Sequence, residues 1–311
     1  MKKQGGLALI VALLVVALTA VIAASLMRGE SVWFKESMNI RALSQAHAAI
    51  DGALRLAAVE VTHEGRHDPI DSLTERWAKP LPRFPVAGGI VHAFLKDPEG
   101  RFNLNDLVVA GQSVPTAVAV FTRLLQLMGL NPALAQAVVA WEMPPGSQGA
   151  GLDAVYLGRR IPYRAGRQPL SGVSELRLVS GFNAKIVHDL RPYVTALPLV
   201  TPVNVNTAPA LVLAALCPGL TIKEGGTLGA EALQTPFASE AAFQAALPHG
   251  VLPIYQADVQ TNYFVAHVTA RFGGLVARRR ALLYRPARGQ TTVILWQEAL
   301  WEHHRTKQTH S

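Results

Sequence analysis

The chain has 311 residues, a formal charge of +8 and a single cysteine, and half of its residues are hydrophobic. That length suffices for two compact units with cores of their own, and one cysteine excludes an intramolecular disulfide, so packing alone must hold the chain together. The charge excess is mild and is not by itself the mark of a nucleic-acid binder.

After Met1-Lys2-Lys3-Gln4-Gly5-Gly6 comes an uncharged apolar run from Leu7 to Met27. As a helix this run reaches roughly 31 Å, the thickness of a bilayer's hydrocarbon core. Lys2 and Lys3, with no acid beside them, resist translocation and place the N-terminus in the cytoplasm with the bulk of the chain exported. Three readings fit such a start. A cleavable signal peptide would find a small-residue cleavage site at Val21-Ile22-Ala23, but the run is longer than the core of such a peptide. A plain signal anchor is the second. The third rests on Gly6, whose place between a short basic leader and the run resembles the processing site of type IV prepilin-like proteins, cut after the glycine with the apolar segment retained. Without Lys2 and Lys3 the side-chain charge falls to about +6.

The residues that follow favour the third reading. From Arg28 to Thr62 there is no proline, and Trp33, Ile40, Leu43, Ala46, Ile50, Leu54, Ala57 and Val61 recur at helical spacing. The alanines among them are strong helix formers, and Gly29 and Gly52 weaken a helix by about 1 kcal/mol each without ending it. One helix is therefore expected from Leu7 to Thr62, on the order of 80 Å long. A secretory signal peptide has no need to continue into a mature helix.

His63 to Pro85, rich in charge and proline, reads as an irregular connector. Gly89 to Lys96 alternates as a strand, Asp97-Pro98-Glu99-Gly100 has turn chemistry, and Arg101 to Asn105 is expected to return as the partner strand of a hairpin. Helices are expected over Pro115–Leu130, Pro132–Met143, Val173–Ser180 and Asn183–Leu190, with a short piece at Leu152–Leu157 and Asn183 as an N-cap. Val203 to Thr207 is a short strand leading to a helix from Pro209 to Leu216, and Ser239 caps another that ends before Pro248. Three strands close the chain at Tyr263–Phe272, Leu275–Tyr284 and Thr291–Trp296, the first two joined by Gly273-Gly274. The fold class is α+β: a long helix packed on an antiparallel sheet, interrupted by a mainly helical insertion.

These pieces, in their order and spacing, resemble protein K of the type II secretion system, a minor pseudopilin with a type IV pilin-like fold. The resemblance is carried by Gly6 with Leu7 to Leu14, by Asp97 to Leu107, by Pro162-Tyr163-Arg164-Ala165 with Ser174 to Val179, and by Val203-Asn204-Val205-Asn206-Thr207-Ala208-Pro209. It implies a leader at 1–6, a transmembrane helix at 7–27, a pilin-like unit at 28–107 and 261–300, a helical insertion at 108–260 and a disordered tail at 301–311. It further implies cleavage between Gly6 and Leu7 by prepilin peptidase, N-methylation of Leu7, residence in the inner membrane with the bulk in the periplasm, and assembly with minor pseudopilins I and J. Most pilin relatives carry glutamate five residues after the glycine; this chain has Val11, as protein K members do, which implies a place at the pseudopilus tip with no subunit ahead. Helix-on-helix packing through the apolar stripe of the long helix is the expected contact.

Relatives with calcium sites carry several acids after the tryptophan that corresponds to Trp141; here only Glu142 and Asp153 lie near it, which argues against calcium, an ion that takes six to eight oxygens. No other cofactor and no enzymatic activity is expected. Ser174, His188 and Asp189 lack triad spacing, and His63, His67, His303 and His304 form no metal pattern. The runner-up is a membrane-anchored DNA receptor of the competence type, since Val203 to Pro209 with Cys217-Pro218-Gly219-Leu220 resembles the start of a helix-hairpin-helix unit. The glycine-rich stretch Thr221 to Gly229, with no net charge, speaks against its second helix, and no nucleic-acid partner is expected. Arg278-Arg279-Arg280, with Arg271, Arg285 and Arg288, is expected to be a solvated hairpin edge.

Overall fold

The computed structural model describes residues 5–80, 84–144, 152–287 and 289–300; the side chains of 5–8, 26–32 and 152 stand outside that description. Helix α1 runs from Gly5 to His67, five residues beyond the expected end. Asp68 precedes Pro69, and the ring of a proline disfavours helical backbone at the residue before it, so the helix stops there rather than at Thr62. Strands β1 (Phe84–Val86) and β2 (Gly89–Lys96) follow. The insertion then brings β3 (Phe102–Asn103), a 3₁₀ turn at Leu104–Asp106, β4 (Val108–Val109), β5 (Gln112–Ser113), α2 (Pro115–Leu127), α3 (Leu134–Glu142) and α4 (Leu152–Leu157). It continues through a 3₁₀ turn at Val173–Leu178, where a helix to Ser180 was expected, to α5 (Ala184–Leu190), β6 (Val194–Thr195), β7 (Val203–Asn204), α6 (Ala210–Leu216), α7 (Ile222–Ala232), α8 (Glu240–Ala246) and β8 (Ala257–Asp258). Strands β9 (Tyr263–Phe272) and β10 (Leu275–Tyr284) follow with the expected bounds, and β11 (Val293–Ala299) is shifted towards the C-terminus from the expected Thr291–Trp296.

The main sheet is antiparallel in the order β1-β2-β9-β10-β11. Gly273 and Gly274, both at positive φ, form the tight turn between β9 and β10. The expected hairpin at 97–105 does not form: β2 pairs with β1 and β9, while β3 pairs parallel with β6 inside the insertion. Alternation decided nothing there, because Phe102, Asn103, Leu104 and Asn105 are all buried. The asparagines act as braces instead. Asn103 Oδ1 accepts from Leu197 N at 2.9 Å and its Nδ2 donates to Leu199 O at 2.9 Å. Asn105 Nδ2 donates to Leu170 O and Leu197 O at 3.0 and 2.9 Å.

Two cores result. Ala46, Ile50, Leu54, Ala57 and Val61 of α1 pack on Val91, Ala93 and Leu95 of β2 and on Phe264, Ala266, Val268 and Ala270 of β9. The other core belongs to the insertion and includes Phe102, Leu104 and Leu107, so it starts before the expected boundary at 108. Another departure is α7, which begins at Ile222 inside the stretch expected to lack a helix. A capping box explains it, with Thr221 accepting from Glu224 N and the Glu224 carboxylate accepting from Thr221 N. Gly225 lets α6 and α7 approach, since a Cβ there would lie 2.6 Å from Ala210 O.

Only half of the helical stripe faces the sheet. Trp33 is 72 % and Ile40 61 % exposed, whereas Leu54 is 1 % exposed. Leu54→Ala should therefore cost about 2–5 kcal/mol of unfolding free energy, while Ile40→Ala should stay within about 0.5 kcal/mol. Urea denaturation of the two variants beside the parent chain measures the contrast.

Candidate functional site: the helix arm and the polar junction

Two features stand out from the fold. The first is the arm of α1 that precedes Ala46. Leu9, Ile10, Val11, Leu13, Leu14, Val15, Val16, Leu18, Val21 and Ile22 are each at least half exposed, on every side of the helix. An apolar surface on all faces of a helix has no place in water and marks a segment that another apolar phase or partner covers. The few polar side chains in it are satisfied internally: Thr19 Oγ1 donates to Val16 O at 2.9 Å and Ser25 Oγ to Ile22 O at 2.8 Å. Further along, Phe34, Met38 and Ile40 are exposed, whereas Ala46 to Val61 are occupied by the chain's own sheet. The expected contact stripe is thus halved: its residues from Ala46 on are buried against the sheet, while Trp33 and Ile40 stay open to another helix. Among the described residues no helix is long and apolar enough to cross a membrane. The run expected to span includes Leu7, Ala8, Leu26 and Met27, whose side chains lie outside the described residues, as does the whole of the tail at 301–311.

The second feature is a buried polar junction where the insertion leaves and rejoins the sheet. The insertion departs after Lys96 and the sheet resumes at Tyr263, so the ends of β2 and β9 must be tied together. Asp97 Oδ2 accepts from Thr207 Oγ1 and Thr261 Oγ1, both at 2.6 Å, and from Asn204 Nδ2 at 3.0 Å. Its Oδ1 accepts from Glu99 N at 2.6 Å. Glu99 Oε1 in turn accepts from Asn262 N and Tyr263 N at 2.8 and 2.7 Å, which fixes the start of β9. Gly100 is required because a Cβ would lie 2.4 Å from Thr207 Oγ1 and 2.7 Å from Thr207 O.

Arg285 locks the same junction to α1. Its guanidinium donates to Asp71 Oδ2 at 2.5 Å, Thr261 O at 2.6 Å and Val61 O at 3.3 Å, and lies 5.2 Å from the centre of the Phe264 ring. It is 1 % exposed, which overturns the reading of this arginine as part of a solvated edge. The strand bearing Arg278 to Arg280 is interior as well, paired with β9 on one side and β11 on the other. Arg279 reaches Asp51 of α1 at 2.6 Å and Arg280 reaches Glu298 at 2.7 Å; Arg288 lies outside the described residues. Asp71, Glu99 and Arg285 carry no sequence signal of their own, since acids and arginines in loops read as solvated. Only the adjacency of Asp97 and Glu99 around a proline in a turn hinted at special use.

Glu142 and Asp153, the two calcium candidates, do not join in a described cation site. Asp153 Oδ1 is 3.3 Å from Arg167 NH2, a cation that would repel a metal. Glu142 is 3 % exposed and neither carboxylate oxygen meets a hydrogen-bond partner among the described residues. Among those residues no group of three or more His, Cys, Asp or Glu side chains could hold a metal ion. His63 and His67 stack on each other 4.3 Å apart, and Asp189 pairs with Lys185 rather than with its neighbour His188. Cys217 is buried, which pushes its thiol up to about 12.

Burial raises the junction acids. It lifts Asp97 to about 6 against the pull of its hydroxyl donors, and with the charge of Asp97 it holds Glu99 well above the usual range. Burial also lifts Asp106 to about 7 and Glu142 to about 8. In the unfolded chain these acids release their protons near pH 4. The folded state therefore holds more protons between about pH 4 and 8, and stability falls as pH rises through that window. The melting temperature should be higher at pH 5 than at pH 8, and Glu142→Gln should flatten the upper part of the slope. A thermal melt series by circular dichroism reads both, and a melting temperature that climbs from pH 5 to 8 contradicts this linkage.

Comparison with known proteins places this geometry. Residues 100–199, the first part of the insertion, match the family described as type II secretion system protein K. The type II secretion system protein K of Pseudomonas aeruginosa is 38% identical over 231 residues, covering 69% of this chain and 68% of that protein. Its namesake from Klebsiella pneumoniae is 33% identical over 307 residues, covering 92% of this chain and 94% of that protein. A chain in the crystal structure of the GspK–GspI–GspJ complex from enterotoxigenic Escherichia coli superposes with a TM-score of 0.73 at 22% identity, covering 86% of this chain and all of that one, a likeness of fold. With relatives of this identity matched along nearly its whole length, the chain belongs to the type II secretion system protein K family and is a minor pseudopilin.

Proposed function

We propose that the chain is a tip subunit of the pseudopilus, anchored in the inner membrane by the arm of α1, and that it initiates or caps assembly with minor pseudopilins I and J. The observation that carries this reading is the arm itself: a continuous helix whose apolar side chains from Leu9 to Ile22 are exposed and uncovered by any other described residue. A bilayer covers such a surface before assembly, and neighbouring helices cover it afterwards. The N-terminus is cytoplasmic and the sheet and insertion are periplasmic. Prepilin peptidase cuts between Gly6 and Leu7 and the new amine of Leu7 is methylated. Val11 supports the tip position, since a subunit with nothing ahead of it has no amine to neutralise and a charge there would be costly in the membrane. The Escherichia coli chain of like fold was crystallised as a GspK–GspI–GspJ complex, which supports I and J as partners here. The role is structural, without enzymatic chemistry and without a required calcium ion.

The DNA-receptor reading is not favoured. Although α6 and α7 do form a helical hairpin, Lys223 is offset by Glu224 and Glu231 on α7, and Arg123 already donates to the hairpin carbonyls of Ala214 and Leu220. Residues 28–311 should show no salt-dependent affinity for DNA in a polarisation assay.

Co-expression with the I and J pseudopilins of the same system tests the assignment: the three should purify as one complex, and recovery of this chain alone sinks it. Replacing Gly6 with a bulky residue should leave an uncut precursor with an unmethylated N-terminus, visible by intact-mass measurement, and block secretion. Normal processing in that variant contradicts the cleavage site.

A further inference from the structure

We propose that the cleft between the outer face of the sheet and the insertion docks an acidic peptide segment of a partner protein. The cleft encloses about 470 Å³ and lies at the Lys96 end of β2, bounded across the gap by Arg191 and Val194 of the insertion. Pairing register puts Lys96, His267 and Arg280 on the sheet face opposite α1, because Leu95, Ala266 and Ala281 between them are buried on the other. Arg101 enters from the chain that leaves the sheet.

Charge decides the occupant. Four cations line the space, Lys96, Arg101, Arg191 and Arg280, against the exposed carboxylate of Glu298 and the buried one of Asp97. Glu298 is taken by Arg280 at 2.7 Å, and Asp97 is filled by the hydroxyl and amide donors of the junction. Lys96, Arg101 and Arg191 have no carboxylate partner among the described residues. Arg101 is half-buried, and burial acts against its charge with partial relief from Asp97. A half-buried guanidinium without an anion gains from one supplied by a ligand, and its fork matches a carboxylate. The field of the cleft is also registered by His267, pushed down to about 4 by burial and then by Lys96, Arg280 and Arg101. Apolar surface adjoins the cations: Trp296, beneath Arg280 at 5.4 Å, is 38 % exposed, and Val265 and Leu282 line the space. Carboxylates beside apolar side chains, as an acidic peptide presents them, complement both.

The chain's own residues 301–311 do not suit the role, since Arg305 and Lys307 outweigh Glu302. A lipid surface around the arm is remote as well. The Gly273–Gly274 turn sits against Ala42 at the arm end of the sheet, and the cleft is at the other end of the same strands. The charge and shape of the cleft do not depend on the tip assignment, so a failed docking test leaves that assignment standing.

The test uses the full chain in detergent micelles with a short Glu/Asp-rich peptide, and a lysine-rich and an uncharged peptide as controls, followed by Trp fluorescence and by titration of the His267 ring in NMR spectra. The acidic peptide alone should bind saturably, more weakly as salt is raised, and should move the His267 titration upward. The double variant K96E/R191E, changed at two exposed positions, should lose at least about tenfold in affinity; K96Q/R191Q gives the same reading should the charge reversal perturb folding. Equal binding of the uncharged peptide, or unchanged affinity in both variants, overturns the proposal. So does inorganic phosphate displacing the peptide at equal concentration, which marks a small-anion site, or phosphatidylglycerol vesicles binding in a manner that K96E/R191E abolishes, which marks a lipid site.

Discussion

The structure depends on one buried tie. A long insertion sits between two strands that are nearest neighbours in the sheet, so β2 and β9 must find each other across a closed loop whose two ends, Asp97 and Thr261, are 164 positions apart. The entropy of closing such a loop grows only slowly with its length, but it must be offset by contacts at the point of closure. Asp97, Asn204, Thr207 and Thr261 supply them within one hydrogen-bonded cluster, and Asp71 and Arg285 extend it to the end of α1. Breaking a buried pair such as Asp71–Arg285 by removing one partner is far costlier than its net gain, since it strands a charge away from water. A tie of this kind therefore fixes geometry more than it adds stability. It sets how the insertion sits on the pilin-like unit.

Much of this architecture can be read from the residues. The helices of the insertion announce themselves by period and caps, as Asn183 and Ser239 do by accepting from Ile186 N and Ala242 N. Strands β9 and β10 follow from their length, their β-branched and aromatic content, and the glycine pair between them. The hairpin at 97–105 misleads because its turn chemistry is real while its partner is elsewhere. Both faces of Phe102 to Asn105 are buried, so alternation carries no information about pairing, and the asparagines are consumed by main-chain groups of Leu170, Leu197 and Leu199. The helix at Ile222 was hidden for the opposite reason. Glycines that look like breakers serve close helix packing, and a capping box at Thr221 and Glu224 outweighs their propensity.

Two of the segments that carry the family resemblance meet at the junction. Asp97 to Asn105 and Val203 to Thr207 lie apart in the chain, yet Asn204 N donates to Glu99 O at 2.9 Å, and a side chain at Gly100 would strike Thr207. Each motif looks weak alone because each is half of a contact. Asp71 and Arg285 complete the contact without any motif of their own, and no pattern in the sequence announces that an arginine just past a strand end is fully buried beneath a phenylalanine ring.

The two halves of α1 make the consequence plain. From Ala42 to Val61 one face of the helix is bound to its own sheet, whereas Trp33, Phe34, Met38 and Ile40 before it stay exposed among the described residues. No proline interrupts it, so the backbone hydrogen bonds run unbroken from the apolar arm to Val61, whose carbonyl meets Arg285. Through that carbonyl the Arg285 guanidinium ties the end of α1 to Asp71 and Thr261 at the junction. The cationic cleft lies beside the same junction, with Asp97 in its wall. Its shape is therefore fixed by the tie that positions the insertion, and an occupant would meet a preformed surface rather than pay to order one.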